Sequence, residues 1–232
     1  MILSGAKGPA RAVCAVPAVL ALWPAAALAD EVCLAVTLSG PSVAVEGPAL
    51  AARLAPWGGA VVSVAAPDAD MADTAQPEVA VMLPPDFPWH DGQALLLRPG
   101  RLSFHAVLGS DGSIDPEGAL IDAPGVLGAE MRIDQTGPAL FLALDADGAY
   151  ALAQVTSDLL GDTLAIALDG EVIMAPRVME AIPGGQLIVS GRFGAAELGQ
   201  MAAMIASPLS SPLTLKTVAE AECPASDAAD AN

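Results

Sequence analysis

The sequence predicts an α+β fold in which a mainly antiparallel sheet is accompanied by a few helices. Three observations carry that expectation. Short apolar runs rich in Val, Leu and Ile recur along the chain and are stopped by Gly, Pro and Asp. Two segments, around residues 146–160 and 194–207, instead place their apolar residues at helical spacing. Between two of the apolar runs stands Asp169-Gly170, a pair suited to the two-residue hairpin turn that joins antiparallel strands.

Taken in order, EVCLAVTL (31–38) reads as a strand that Ser39-Gly40-Pro41 stops, and PALAARL (48–54) as a short helical run ended by Trp57-Gly58-Gly59. AVVSVAA (60–66) and EVAVML (78–83) are strands, and the prolines of PPDFPWHDG (84–92) predict a loop. Leu95 to Leu97 is apolar, and in 101–108 Leu102, Phe104, Ala106 and Leu108 alternate with polar Arg101, Ser103 and His105. The first third is therefore strand, helix, strand, strand, strand. Residues 109–138 are weakly patterned and full of Gly, Asp and Pro, which predicts a loop-rich crossing with one short helix or strand. ALFLAL (139–144) is a strand, after which Asp145 or Asp147 can cap a helix whose inner stripe is Ala149, Leu152, Ala153, Thr156, Leu159 and Leu160, closed by Gly161. Leu164, Ile166 and Leu168 then share one strand face, and the hairpin register sets Ile166 opposite Ile173 and Ala167 opposite Val172. Pro176 ends regular pairing, QLIVSG (186–191) is a further strand, and 194–207 is a helix with Leu198, Met201, Ala202 and Ile205 inside. Pro208 stops that helix, LTLKTV (213–218) is the last strand, and a tail follows.

The first 29 residues carry Lys7 and Arg11 as their only charges, run through an apolar stretch and end on Ala27-Leu28-Ala29. That order predicts a secretory signal peptide cleaved after Ala29. The alternative, an uncleaved membrane anchor, is opposed by Pro17 and Pro24, which interrupt a run already short for a bilayer. No membrane span is expected after cleavage. Losing Lys7 and Arg11 and no acid takes the net charge from −18 to −20, which excludes nucleic acid and anionic membrane surfaces as partners. With only 3% aromatic residues, the core must be built mainly from Ala, Val, Leu, Ile and Met. Cys14 leaves with the signal, so an even pair, Cys33 and Cys223, remains in an oxidising compartment and reads as a disulfide, two free thiols being the alternative.

Reactive constellations are sparse. His90 stands near Asp86 and Asp91, where a metal site and a plain solvated loop are both compatible with the residues, and His105 has no Cys or His at ligand spacing. GxSxG, HExxH and Gly-rich phosphate loops do not occur. The expectation is a protein that is not an enzyme, with no catalytic residues, no metal and no cofactor.

The stretch from LALDADGAYALAQ through LAIALDGEVIMAP, PGGQLIVSGRF and the helix behind it resembles the head region of the first periplasmic domain of SecD, the protein-export membrane subunit of the SecDF complex. The matching pieces are the acidic-x-x-Gly-Ala segment ending at Ala149, Leu164 to Ile166, Leu168 to Gly170, Val172-Ile173, Ala175-Pro176, Gly184-Gly185 and Gly191, in the family's order. Upstream, ALAARLAPWGG, two strands and Arg101-Leu102-x-Phe104 are similar in layout to the family's ferredoxin-like base. The resemblance implies a signal peptide (1–29), a ferredoxin-like base (30–108 and 213–220) carrying an inserted SecD-like head (109–212), and a flexible tail (221–232). If the last strand returns to the base, Cys33 and Cys223 lie at one end of one sheet. The family's membrane-helix bundle has no counterpart in this sequence, so a proton-driven role is not implied.

What the resemblance implies functionally is a periplasmic protein accessory to protein export, its partners being exported polypeptides or a translocase component. The alternative is an envelope adaptor docking on one fixed partner such as a translocase subunit, and a third reading is an enzyme that reuses the fold. Candidate polypeptide contacts are Met174, Arg177, Met179 and Phe193, with Met201 and Met204 behind them, because thioethers adapt to varied apolar side chains. Core filling is the competing role for these methionines, above all for Met201 on the helix's apolar stripe.

Overall fold

The computed structural model describes residues 32–65, 77–109, 112–134 and 137–223 of the 232. The expected signal peptide and its cleavage site lie outside the described residues, as do Ala66 and positions 224–232 of the expected tail.

β1 (Val32–Ser39), α1 (Val43–Leu54), β2 (Ala60–Ala65), β3 (Glu78–Leu83) and α2 (Trp89–Leu97) follow one another, and the last strand, β11 (Thr214–Glu222), returns beside β1. The resulting sheet has the order β11-β1-β3-β2 and is antiparallel throughout, which is the split β-α-β-β-α-β ferredoxin-like arrangement. Its buried face is aliphatic: Val36 and Leu38 of β1 and Val79, Val81 and Leu83 of β3 meet Val43, Leu50 and Leu54 of α1. Burying such side chains contributes about 1.5–3 kcal/mol each, so this face needs no aromatic residue to hold it.

α2 corrects the expected loop over 84–92. Pro88 stands at the N-cap, where a missing N–H costs nothing, and the prolines before it only mark the helix entry. Leu95 and Leu96 are then fully buried, and Phe87 lies across Gly92 so closely that a Cβ there would come within 2.7 Å of its ring.

Everything else is inserted between α2 and β11. Two antiparallel sheets form: β5-β4-β8-β9, from β4 (Leu102–Val107), β5 (Ile114–Asp122), β8 (Leu164–Leu168) and β9 (Glu171–Met174), and β10-β7-β6, from β6 (Val126–Asp134), β7 (Gly137–Leu144) and β10 (Gln186–Ser190). α3 (Ala146–Asp158) and α4 (Ala195–Ala206) complete the insertion, and α4 packs against α1, α2 and β6. Buried apolar side chains of base and insertion form one continuous cluster.

Four further expectations are corrected. β4 pairs with β5 and β8, so it belongs to the inserted sheet and not to the base; the insertion begins after α2 rather than after residue 108. Residues 109–138 contain two full strands, β5 and β6; the register of β5 shifts opposite Phe104/His105 and His105/Val107 of β4, that of β6 at Val126/Gly128, and these irregularities break the alternation that would have shown them. β11 continues through Glu222, which pairs with Val32, so 221–222 are strand rather than tail. In the hairpin Ala167 does face Val172, but a bulge puts Met174, not Ile173, opposite Ile166.

The local signals that set the insertion are specific. Asp145 caps α3, its carboxylate accepting from the Gly148 N–H at 2.8 Å. Gly148, Leu152 and Thr156 form the buried edge of that helix, while Leu160, past its end, is 56% exposed. Asp169 and Gly170 both have positive φ, 52° and 80°, as a tight hairpin turn with right-handed strand twist demands. At the far end of the base, Cys33 and Cys223 form a disulfide with a Cα–Cα distance of 5.0 Å. β11 is otherwise exposed along nearly its whole length, so its pairing with β1 and this bridge hold it in place.

Candidate functional site

Where the chain leaves the base and where it re-enters lie side by side: the Leu209 N–H donates to the Pro99 carbonyl at 2.8 Å and the Leu213 N–H to the Leu97 carbonyl at 3.0 Å. Two prolines create a deficit there. In an α-helix the carbonyls of Leu95 and Met204 would accept from residues 99 and 208, and both are proline, without an N–H. Arg53, projecting from α1 and fully buried, supplies the missing donors: Nη1 to Leu95 O at 3.1 Å and Nη2 to Met204 O at 3.3 Å. The same guanidinium donates to Arg98 O and Ser207 O, each at 2.6 Å, and to Pro99 O. Burial pushes its pKa down from the ordinary arginine value to about 10, against the opposing pull of Asp169 and Glu46, so it remains a cation at neutral pH. Glu46, also buried, accepts from the Ser210 N–H at 2.8 Å on the return segment. One arginine and one glutamate of α1 thus fix both crossings.

In front of this junction α2, the β8–β9 hairpin and α4 enclose a groove of about 550 Å³. Its apolar floor includes Ile173, Phe193, Met201 and Met204, and Asp91, Glu171 and Glu197 stand along its sides. Arg98 is the cation in the groove, and it is already engaged: Nε donates to Asp169 at 3.1 Å, Nη1 to Glu171 at 3.4 Å and Nη2 to the Leu168 carbonyl at 3.1 Å. Glu197 sits in the first turn of α4 and accepts from the Gly194 N–H at 3.4 Å, a position the helix dipole favours for an anion. Gln200, one turn further on, lines the groove, is 8% exposed, and makes no hydrogen bond among the described residues.

The sequence-derived contacts separate. Phe193 lines the groove, with Met201 and Met204 beside it, whereas Met174, Arg177 and Met179 do not. Met174 is half-buried against the core, Arg177 bridges to Thr163 at the surface, and Met179 stands 81% exposed in the loop between β9 and β10. That loop is tied down elsewhere, by the Ile182 N–H donating to Thr156 Oγ1 at 2.9 Å.

The histidines also fall apart. His90 is exposed in the first turn of α2, and no group of three His, Cys, Asp or Glu side chains that could hold a metal occurs among the described residues. His105, expected on the polar side of its strand, is 2% exposed. Its Nδ1–H donates to the Asp115 carbonyl at 2.9 Å, since a carbonyl can only accept, which leaves Nε2 to accept from the Ser103 hydroxyl at 2.9 Å. It is a histidine whose hydrogen bonds are satisfied inside the β4–β5 pair.

Comparison with known proteins finds similarity over part of this chain. Residues 116–209 match the family described as SecDF, P1 head subdomain. Over that span the chain resembles the P1 head of SecD and SecDF. It is 32% identical over 108 residues to the protein translocase subunit SecD of Leptotrichia buccalis, an alignment covering 46% of this chain and 26% of that protein. With the SecD of Acidaminococcus fermentans it shares 40% over 86 residues, covering 37% of this chain and 20% of the relative. The chain therefore corresponds to about a quarter or less of the length of these relatives. In structure it resembles SecDF in its super-membrane-facing form, with a TM-score of 0.63 at 23% identity over 82% of this chain and 30% of that one. A second structure, of a membrane component SecDF that enhances protein export, aligns with a TM-score of 0.61 at 24% identity over 79% of this chain and 98% of its own. These alignments reach well beyond residues 116–209, so base and insertion together share the fold of the SecDF structures. No helix among the described residues is long and apolar enough to cross a membrane.

Proposed function

We propose that this protein is a non-enzymatic accessory of protein export, acting in the periplasm after cleavage of its signal peptide and binding polypeptide chains through its SecD-like head. The observation that carries this is the match of residues 116–209 to the SecDF P1 head, in relatives that are protein translocase subunits. The groove lends support: apolar and rich in methionine at its floor, it suits side chains of varied shape. Phe193 is its aromatic contact, and Met174, Arg177 and Met179 lie on the neighbouring β9 strand and the loop that follows it, as an outer contact surface for a longer chain.

The test uses the purified protein and one polypeptide in two states: a small disulfide protein in its native form, and the same protein reduced and carboxymethylated so that it stays unfolded. Fluorescence anisotropy is expected to show binding of the unfolded form and none of the native form. Equal binding of both, or of neither, refutes polypeptide capture. Crosslinking in the periplasm to one stoichiometric partner and no diverse clients would move the reading to the envelope adaptor.

A further inference from the structure

Gln200 is the feature of the groove that general apolar capture does not explain. Its amide carries donors and an acceptor, it is 8% exposed on a helix whose neighbours Leu198, Ala202 and Ile205 are core, it makes no hydrogen bond to a described residue, and it is not among the buried atoms without a partner, so the amide keeps access to the groove it lines. An amide that opens on a groove is free to pair with what enters it. Lining the groove between an apolar floor and acidic sides, it offers the complementary pattern to a peptide group, which presents one N–H and one C=O.

The sides add charge selectivity. Asp91, Glu171 and Glu197 put three carboxylates around a groove whose cation, Arg98, is occupied by Asp169, Glu171 and the Leu168 carbonyl. The chain as a whole carries −18, so its long-range field draws in the same sign of ligand as the groove prefers. A volume of about 550 Å³ falls within the range of specific ligand sites and holds a few residues rather than a folded surface.

We propose that this groove binds extended polypeptide segments in which Lys or Arg adjoins an apolar side chain. Gln200 pairs with the segment's backbone, Phe193, Met201 and Met204 take the apolar side chain, and Asp91, Glu171 and Glu197 face the cation. The proposal rests on the polypeptide-binding reading and adds to it the site and the chemistry of the client.

The probes are two fluorescein-labelled nine-residue peptides, one alternating Lys and Leu and the other alternating Glu and Leu, titrated against the whole protein at low and physiological salt. The Lys peptide is expected to bind, more weakly as salt rises, and the Glu peptide not to bind. The pair Asp91→Asn and Glu197→Gln is expected to lower affinity for the Lys peptide roughly three- to tenfold, in line with two partly solvated charge contacts. Gln200→Leu removes the backbone pairing and should lower it by a similar factor while leaving the salt dependence unchanged. The control pair Asp158→Asn and Glu180→Gln removes two exposed acids outside the groove and should change little. A photoreactive benzoylphenylalanine at exposed Ala196 is expected to crosslink the Lys peptide, and one at Asp158 is not. Equal binding of both peptides, wild-type affinity in the groove variants, or an equal loss in the control pair overturns the proposal. If the unfolded polypeptide still binds while the groove variants have no effect, the groove assignment alone falls. If neither the peptides nor the unfolded polypeptide bind, the polypeptide-binding reading falls with it.

Discussion

Replacing Arg53 by methionine tests the junction directly, because methionine keeps the apolar stem and removes every donor. The two carbonyls that proline leaves without a helical partner, Leu95 and Met204, are the ones Arg53 meets in buried contacts. Leaving both unsatisfied costs about 2–6 kcal/mol at roughly 1–3 kcal/mol each. The carbonyls of Arg98, Pro99 and Ser207 are reached in part-buried contacts and can turn to water, so they add about 1.5 kcal/mol together. Against this, removing a cation whose pKa burial has pushed down to about 10 returns on the order of 3 kcal/mol. Taking the middle of the first range, the net loss is about 2–3 kcal/mol, or roughly 5–10 °C in melting temperature for a chain of this size. Urea unfolding followed by the fluorescence of Trp57, just past α1, and Trp89, at the start of α2, measures it. Arg53→Lys keeps the charge with three donors for five carbonyls and should also lose stability. A methionine variant with the wild-type midpoint, or a higher one, would refute the reasoning: the carbonyls would then find other partners at no cost.

Three further substitutions or treatments bear on the fold. Gly170→Val forces a β-branched residue to a φ of 80° and is expected to cost about 1–3 kcal/mol in a denaturant midpoint; an unchanged midpoint argues against the tight turn. Asp145→Ala removes the cap of α3 and should cost about 1 kcal/mol in the same assay, with no change meaning that the Gly148 N–H is served by water. Reducing Cys33–Cys223, which links positions 190 apart, should lower stability by up to about 5 kcal/mol and raise hydrogen exchange first in β11; a melting temperature indifferent to reductant would contradict this.

The α+β class and most of the later elements were legible because their signals are local. Asp169-Gly170 requires positive φ at two successive positions, Asp145 stands where a cap is needed, and the α4 stripe repeats at helical spacing. β5 was not legible, since of its nine residues only Ile121 is buried and no alternation survives. α2 is hidden by prolines, which mark its start here but signal a loop as readily. Arg53 gave no sign because its partners are backbone carbonyls 42 to 154 positions away. The one available clue was negative: a proline four residues after Leu95 and another four after Met204. Gln200 carries no signal in the helical pattern, and only the fold shows that it is largely covered while lining the groove. Among the methionines, helical spacing puts Met201 on the inner face of α4, while Met174 closes a hairpin strand whose bulge the pattern does not show and Met179 stands in the loop after it.

The groove and the junction are one construction seen from two sides. α2 belongs to the base, α4 and the hairpin belong to the insertion, and the groove exists only where the three meet. Its width depends on how the C-terminal ends of α2 and α4 are held, and Arg53 holds both, taking Leu95 and Arg98 from one and Met204 and Ser207 from the other. On the opposite wall the Asp169 carboxylate accepts from the Arg101 N–H at 2.8 Å and from Arg98, which locks the hairpin turn to the outgoing segment. A site whose walls come from different parts of the chain would ordinarily have to be ordered by its ligand, and that ordering subtracts from affinity. Here the ordering is done during folding, by a buried cation that satisfies carbonyls two prolines have stranded. The cost of burying that cation is therefore the cost of a groove whose walls are already held in place by the fold.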